Sequence, residues 1–193
     1  MKLYMIRHGQ SEANFAERHS GWHPYHLTEK GRAQALELSK RLEGVTFDKI
    51  YTSDLLRAME TCELACPGAP FEATSVIREI DVGELAGLPF THCDEMLGQA
   101  YHDNRRELNF APYRGENKEM FHARIRDFID RVAAEPHERV AAFCHAGVIH
   151  NALEIITGLP VNPKHFACNN CGIFIFEYID GYWRLSCWNY AGL

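Results

Sequence analysis

Four stretches of the chain have the apolar pattern of β-strands. Residues 2–6 open the chain as an apolar run that ends at Arg7, His8 and Gly9. Residues 47–52 and 71–77 form the next two runs. Residues 139–144 are apolar almost throughout, which is typical of a central parallel strand buried on both faces. The pattern therefore predicts a sheet with mainly parallel strands.

Segments with helical periodicity lie between these strands. Residues 28–31 open a helix that continues through about Leu42, and we assign its apolar stripe to Ala33, Leu36, Leu38 and Leu42. A short helix is expected over 10–15, and another follows the strand end at 52–54, where a hydroxyl or carboxylate can cap it. Two more helices are expected, one with apolar residues from 121 to 132 and one over 148–157.

The last part of the chain predicts a β-hairpin. Residues 172–179 and 182–188 alternate between apolar and polar and are joined by Asp180-Gly181, a dipeptide typical of tight hairpin turns. Strands that alternate with helices predict an α/β fold, a three-layer α/β/α sandwich with a largely parallel central sheet. We expect residues 1–193 to form one domain, with an irregular, partly helical insertion at 88–116 that covers a cleft.

Composition narrows the possible partners. The 193 residues are 46% hydrophobic and carry a formal net charge of −6, so no nucleic-acid partner is expected. No apolar window approaches a membrane span, and the first residues enter a strand without the features of a signal peptide. We therefore expect no membrane association and a cytoplasmic location. A small anionic substrate remains compatible with this charge, because local arginines can outweigh it.

The seven cysteines and eleven histidines raise the question of a metal site. Cys168 and Cys171 have the spacing of half a zinc site, but no second CxxC accompanies them. His19, His23 and His26 cluster in a loop, where exposure to solvent is the simplest expectation. Reduced, packed cysteines are the main interpretation, and a structural metal at Cys168 and Cys171 stays open as an alternative.

Candidate chemistry lies where strands end. Arg7 and His8 follow the first strand, and His145 follows the strand over 139–144. Arg57 lies in the first turn of a helix, where the helix dipole opposes a cation, so it either meets a bound anion or is a solvated surface residue. Ligands of open α/β sheets bind at the carboxyl ends of the strands. Two arginines, two histidines and helix N-termini predict a pocket for a dianionic phosphoryl group.

The order of these motifs resembles the histidine phosphatase superfamily, the phosphoglycerate mutase-like group. The resemblance covers most of the chain and is carried by motifs listed here in order: Arg7-His8-Gly9 with Ser11 and Asn14, Gly21-Trp22, Leu27-Thr28, Thr52-Ser53-Asp54 with Arg57, Arg78-Glu79 with Gly83 and Gly87, Gly115-Glu116, and Cys144-His145-Ala146-Gly147.

The resemblance implies a role for each site residue. His8 would be the nucleophile that forms a phosphohistidine, and Glu79 would be the general acid. His145 would stabilise charge in the transition state. Arg7, Asn14, Arg57 and Ala146 would bind the phosphoryl oxygens. No metal or other cofactor is expected, because the arginines neutralise the charge.

Three functions follow as alternatives. The preferred one is a metal-independent phosphomonoesterase that hydrolyses a small phosphorylated metabolite. The chain is shorter than dedicated phosphoglycerate mutases, which gives water easier access to a phosphohistidine. A cofactor-dependent phosphoglycerate mutase is the second alternative, and a non-catalytic phospho-ligand binding module is the third. Pro24 and His150 depart from the residues usual in the family, and Ala146 replaces its usual glycine.

Overall fold

A computed structural model describes residues 1–190 and contains six strands and six α-helices in that range. The strands are β1 (Lys2–Arg7), β2 (Lys49–Ser53), β3 (Glu72–Thr74), β4 (Arg139–Cys144), β5 (Ile173–Ile179) and β6 (Tyr182–Tyr190). The helices are α1 (Glu12–Phe15), α2 (Glu29–Arg41), α3 (Leu56–Ala65), α4 (Phe90–Arg106), α5 (Lys118–Ala134) and α6 (Ala146–Thr157).

The six strands form one sheet in the order β3-β2-β4-β1-β5-β6. Strands β1 to β4 are mutually parallel, whereas β5 runs antiparallel to β1 and β6 antiparallel to β5. This arrangement confirms the predicted α/β fold and its largely parallel centre. Asp180 and Gly181 both have positive φ angles, as a two-residue hairpin turn of this kind requires.

Side chains of β4 alternate between the two faces of the sheet and so define the two core layers. Val140 and Ala142 pack in a core with residues of α5 and α6, while Ala141 and Phe143 pack in a second core with residues of α2 and α3. The helices therefore cover both faces, and the predicted three-layer sandwich is confirmed. No helix within residues 1–190 is long and apolar enough to cross a lipid bilayer.

Several local predictions need correction. The third strand is limited to Glu72–Thr74, because Ser75–Ile77 turns into a 3-10 helix. In α2 the buried stripe is Gly31, Ala35, Leu38 and Leu42, whereas Ala33 and Leu36 are exposed. Each of these buried positions follows the previous one by three or four residues, which keeps them on one face of the helix.

The 88–116 segment is more regular than predicted. Its main element, α4, contains 17 residues and is interrupted at Gly98, where φ is +56°. Cys93 and Tyr101 of α4 are fully buried, and the Tyr101 hydroxyl is hydrogen-bonded to His19 Nε2 at 2.6 Å. The segment is therefore packed onto the main core through its own apolar and aromatic side chains.

Close backbone contact holds the loop after β1 against the start of α2. A side chain at Gly9 would overlap the backbone of Gly31, and one at Gly31 would overlap the backbone of Gln10. Thr28 caps α2 by accepting a hydrogen bond from the Gly31 amide. The two glycines thus allow the loop that carries His8 to lie directly on a capped helix end.

Candidate active site

The carboxyl ends of β1 and β4 bring two histidines together. Arg7 and Cys144 are neighbours in the parallel ladder, so the residues that follow them, His8 and His145, leave the sheet side by side. Their ring centroids are 5.1 Å apart at an interplanar angle of 60°. Both rings are almost completely buried. Two imidazoles from distant parts of the sequence therefore share one pocket at the sheet edge.

The protonation of His8 is set by its surroundings. Its Nδ1 is 2.7 Å from the carbonyl oxygen of Gly9, which can only accept, so Nδ1 carries the hydrogen. Burial holds the pKa of His8 well below its usual value, and the charges of Arg57 and Arg7 lower it further. At neutral pH the ring is neutral and its Nε2 lone pair is available for nucleophilic attack.

His145 is oriented by a hydroxyl from β2. Its Nε2 lies 2.9 Å from Ser53 Oγ, and its buried Nδ1 has no hydrogen-bond partner among the described residues. Burial, followed by the charge of Arg57, holds the pKa of His145 well below the ordinary value. If the serine hydroxyl donates to Nε2, the neutral ring carries its proton on Nδ1, where it can donate to an anion.

Arg57 is fully buried, so its interpretation as a solvated surface residue was wrong. Its guanidinium donates to the Gly21 carbonyl at 2.9 Å and to the His23 carbonyl at 3.3 Å, while Nε has no partner in the described chain. Burial lowers the pKa of Arg57 to about 10, an effect that Glu79 opposes. The side chain is still a cation at neutral pH and lies inside the site.

Three buried side-chain nitrogens in this pocket lack a hydrogen-bond partner among the described residues. Arg7 donates from Nη1 to the Cys168 carbonyl, but its Nε has no partner within residues 1–190. Arg57 Nε and His145 Nδ1 are the other two such nitrogens. Buried polar groups without a partner are rare and call for an explanation. An anion with several acceptor oxygens would satisfy all three.

The other two residues expected to bind phosphate lie at helix starts. Asn14 closes the capping box of α1 through its Oδ1, which accepts from the Ser11 amide at 3.2 Å. Asn170 links Asn14 to the loop that carries His8, because its side-chain amide donates both to Asn14 Oδ1 and to the His8 carbonyl. Ala146 is the first residue of α6, where backbone amides lack intrahelical acceptors.

Glu79 reaches the N-terminus of α6. Its Oε2 accepts a hydrogen bond of 3.1 Å from the Gly147 amide, and its Oε1 accepts one of 3.0 Å from the Ile80 amide. A side chain at Gly147 would overlap the Glu79 carboxylate. The glycine of the His145-Ala146-Gly147 turn therefore lets a carboxylate lie directly against the helix end.

The backbone of Glu79 is held by Trp22, which belongs to the Gly21-Trp22 motif of the sequence, and by Arg124, which was not singled out from the sequence. Its carbonyl oxygen accepts from Trp22 Nε1 at 2.7 Å and from Arg124 Nη2 at 2.9 Å. Arg124 also donates to both carboxylate oxygens of Glu116 at 2.8 Å. A sequence signal did exist, because Arg124 lies on the apolar face of α5, three residues after Phe121 and four before Phe128.

The 20–26 loop forms a wall of this site. Trp22 binds the Glu79 backbone, and the Arg78 guanidinium stacks over the Trp22 ring at 4.8 Å. Asp54, considered as a helix cap, instead forms a two-point ion pair with Arg78 at 2.6 Å. The first turn of α3 has no side-chain cap.

The cysteines and loop histidines are arranged differently from metal ligands. Within residues 1–190 no group of three or more His, Cys, Asp or Glu side chains is placed to hold a metal ion. Cys168 and Cys171 are free, and burial raises the pKa of each thiol to about 12. His19 was expected in solvent but is 5% exposed, because α4 packs over it, whereas His23 and His26 are exposed.

Comparison with known proteins gives consistent matches. A curated relative, the 2,3-bisphosphoglycerate-dependent phosphoglycerate mutase of Bartonella bacilliformis, is 32% identical over 169 residues, which cover 81% of this chain and 82% of the relative. The crystal structure of a candidate α-ribazole-5'-P phosphatase from Escherichia coli superimposes with a TM-score of 0.90 at 26% identity, covering 98% of this chain and 96% of the other.

A mycobacterial glucosyl-3-phosphoglycerate phosphatase superimposes with a TM-score of 0.86 at 28% identity, covering 97% of this chain and 98% of the other. The sequence model of the histidine phosphatase superfamily (branch 1) matches residues 3–191. With two buried histidines and a fully buried arginine, Arg57, at one edge of its sheet, this chain belongs to that superfamily.

Proposed function

We propose that this enzyme is a metal-independent phosphomonoesterase that hydrolyses a small phosphorylated metabolite through a phosphohistidine at His8. The observation that carries the proposal is the set of buried nitrogens beside His8 that have no hydrogen-bond partner within residues 1–190: Arg7 Nε, Arg57 Nε and His145 Nδ1. A phosphoryl group offers three oxygens to such donors, and arginine binds them without losing its charge.

The first half-reaction transfers the phosphoryl group to the enzyme. The neutral Nε2 of His8 attacks phosphorus as the ester P–O bond breaks. The arginines, the Asn14 amide, the Ala146 backbone and His145 hold the non-bridging oxygens and stabilise the charge that develops on them. Glu79, in its protonated form, gives its proton to the leaving alkoxide, which departs as the alcohol.

The second half-reaction releases phosphate. Glu79, now a carboxylate, takes a proton from a water molecule whose oxygen attacks the phosphorus of the phosphohistidine. The P–N bond breaks, His8 recovers its lone pair, and inorganic phosphate leaves. The same carboxyl group thus serves first as acid and then as base, which requires the fixed position that Trp22, Arg124 and Gly147 give it.

A mutase is the second candidate, because the curated relative from Bartonella bacilliformis is named as a phosphoglycerate mutase. A mutase and a phosphatase both form the phosphohistidine. They differ in the group that then accepts the phosphoryl group, which is an organic hydroxyl in a mutase and water in a phosphatase. We favour hydrolysis because two structures that cover nearly the whole fold carry phosphatase names. Interconversion of 2- and 3-phosphoglycerate at a rate above that of phosphate release would reverse this preference.

The decisive experiment traps the intermediate. Enzyme in EDTA is mixed with a ³²P-labelled phosphate monoester and quenched in alkaline detergent, where phosphohistidine survives, and a duplicate is treated with acid, which cleaves it. We expect acid-labile label on the wild type and none on His8→Gln. The control His92→Gln changes an exposed histidine of α4 and should label normally. Label on His8→Gln, or hydrolysis that EDTA abolishes, would reject the proposal.

A further inference from the structure

A cavity of about 620 Å³ lies next to the candidate active site. One side of it is a single face of α6, formed by Gly147, His150, Asn151 and Glu154, which are spaced at three, four and seven residues from Gly147. The C-terminal turn of α4, the start of α5 and residues 161–164 complete it. We call this cavity the α6 cleft.

The α6 cleft and the site share a residue. Gly147 lines the cleft, and its amide is also hydrogen-bonded to the carboxylate of Glu79. A leaving group that receives a proton from Glu79 is therefore next to the end of the cleft. From Gly147 to Glu154 the α6 face extends over seven residues, or roughly 10 Å, well beyond the reach of a three-carbon alcohol.

The lining of the cleft includes an amide oxygen that has no hydrogen-bond partner within residues 1–190. Asn151 is 3% exposed, and its buried Oδ1 accepts no hydrogen bond from any residue in the described part of the chain. His150 lies one residue earlier, and its Nε2 donates to the Phe166 carbonyl at 2.8 Å, which leaves Nδ1 as an acceptor. Two acceptors without donors match a ligand that supplies several hydroxyl groups.

The charged groups of the cleft are mainly cationic. Arg105, Arg106, Lys118 and Lys164 face two carboxylates, Glu107 and Glu154. Lys118 is paired with Glu154 at 2.6 Å, and Arg106 is paired with Asp103 at 2.8 Å.

Two of the cations remain for a ligand. Within residues 1–190 neither Arg105 nor Lys164 forms an ion pair with a carboxylate. The Arg105 guanidinium stacks over the Phe90 ring at 4.7 Å, which fixes its place at the wall. Unpaired cations beside a narrow cleft attract a negatively charged ligand.

We propose that the α6 cleft binds the leaving group of the substrate, and that this group is a polyhydroxylated alcohol of glycoside size that carries a second anionic group. The inference rests on the proposed phosphatase function. Cavities of 300–1,000 Å³ hold ligands far larger than glycerate, so the volume favours a glycosylated or similarly extended alcohol. The hydroxyl groups satisfy the Asn151 amide, and the anion lies between Arg105 and Lys164.

Matched substrates test this proposal. Glucose 1,6-bisphosphate differs from glucose 6-phosphate by one anionic group, and glucosyl-3-phosphoglycerate differs from 3-phosphoglycerate by a glucosyl unit. We expect kcat/KM to be at least tenfold higher for the larger or more anionic member of each pair. Equal values within both pairs, with p-nitrophenyl phosphate still hydrolysed, would overturn the cleft assignment and leave the phosphatase proposal intact.

Variants locate the effect in the cleft. Asn151→Leu keeps the volume of the side chain and removes its amide, and Lys164→Ala removes a cation. For each, the ratio of kcat/KM for glucosyl-3-phosphoglycerate to kcat/KM for p-nitrophenyl phosphate should fall about tenfold. Lys40→Ala, an exposed lysine of α2, is the control and should leave the ratio unchanged. An unchanged ratio in both cleft variants would contradict the proposal.

A binding measurement separates this inference from catalysis. Glucosylglycerate is the leaving alcohol without phosphate, and its binding can be followed by isothermal titration calorimetry whether or not the protein hydrolyses any ester. We expect saturable binding by the wild type and at least tenfold weaker binding by Asn151→Leu. If no ester is hydrolysed but glucosylglycerate binds in this manner, the phosphatase proposal fails and the cleft assignment stands. Absence of binding by the wild type would reject the cleft assignment.

Discussion

The amide of Gly147 donates to the carboxylate of Glu79 across 68 residues of sequence, and the contact is so close that a methyl group on Gly147 would overlap Glu79 Oε1. A carboxylate and a helix N-terminus attract each other. Here the attraction also fixes the one acidic side chain to which we assign proton transfer. The contact links the turn after β4 to the loop after β3.

Gly147→Ala should displace Glu79 and slow proton transfer to the leaving group. We expect kcat/KM, which reports the steps up to departure of the alcohol, to fall about 100-fold for an alkyl phosphate and much less for p-nitrophenyl phosphate, because nitrophenolate leaves without protonation. The Glu79→Gln/Gly147→Ala double variant should be no slower than Glu79→Gln, since the two changes remove one interaction. Equal losses on both substrates would contradict this role for Glu79.

Arg124 and Glu116 should contribute strongly to stability. Their side chains are 17% and 10% exposed, and Arg124 also donates to the carbonyls of Val76, Arg78 and Glu79. Arg124→Met leaves a buried carboxylate unpaired, which costs about 3–5 kcal/mol in the free energy of unfolding. Urea denaturation measures this loss. Arg126→Met, on the exposed face of the same helix, should change stability by less than about 0.5 kcal/mol.

The double variant Glu116→Gln/Arg124→Met distinguishes an unpaired charge from lost hydrogen bonds. Removing both charges should restore part of the stability lost in Arg124→Met, because no carboxylate is then buried alone. A double variant that is less stable than Arg124→Met would show that the backbone contacts of Arg124 dominate instead.

Buried histidines should make the fold sensitive to mild acid. Burial and then the charge of Arg105 lower the pKa of His19 to about 4, while Asp94 opposes them. As pH falls below about 6.5, the unfolded chain binds a proton that folded His19 does not, so stability decreases by at most about 1.4 kcal/mol per pH unit for this residue. His8 and His145 should also make the folded protein less stable as the pH falls, since burial lowers their pKa values too.

Urea denaturation between pH 7 and 5 tests this dependence, because carboxylates with lowered pKa values lose their contribution only at lower pH. His19→Gln should make the decrease in stability less steep by about 1.4 kcal/mol per pH unit at most. His92→Gln, an exposed histidine, should leave the slope as it is. An identical slope in wild type and His19→Gln would mean that His19 is protonated within the folded protein.

Inorganic phosphate or vanadate should stabilise the folded protein, because either supplies acceptors for the arginine and histidine nitrogens of the site. At a concentration 100 times Kd the expected gain is about 2.7 kcal/mol. Arg57→Lys keeps the charge but loses the planar donors, so Kd should rise at least tenfold. Arg114→Lys, whose side chain is 85% exposed, should bind as the wild type does. Equal anion affinity in Arg57→Lys would place the anion elsewhere.

Alternation and periodicity were sufficient to predict the layers of the fold. Within residues 1–190 the four parallel strands, the hairpin and five of the six helices lie at or near the predicted positions, because each follows from a local apolar pattern. The strand over 71–77 was overextended because β3 is a short edge strand that turns at once into a 3-10 helix. The apolar pattern of the sequence does not show at which residue such an edge strand stops pairing with the neighbouring strand.

Residues that act across the fold were harder to predict. Ser53 was considered as a helix cap, yet its hydroxyl contacts His145, 92 residues away. Trp22 and Arg124 both reach the Glu79 carbonyl from elements distant in sequence. Contacts between residues distant in sequence leave little trace in the local sequence pattern. The clearest trace here is Arg124, a single arginine on the apolar face of α5.

The sequence by itself determined the α/β fold and brought Arg7, His8 and His145 to one edge of the sheet, because parallel strands end on the same side. Only the tertiary structure decided that Arg57 is buried with an unpaired Nε, that Ser53 orients His145, and that Glu79 lies against Gly147. Those facts depend on which side chains meet after the layers pack, and hydrogen bonds between distant residues are set by that packing rather than by local propensity.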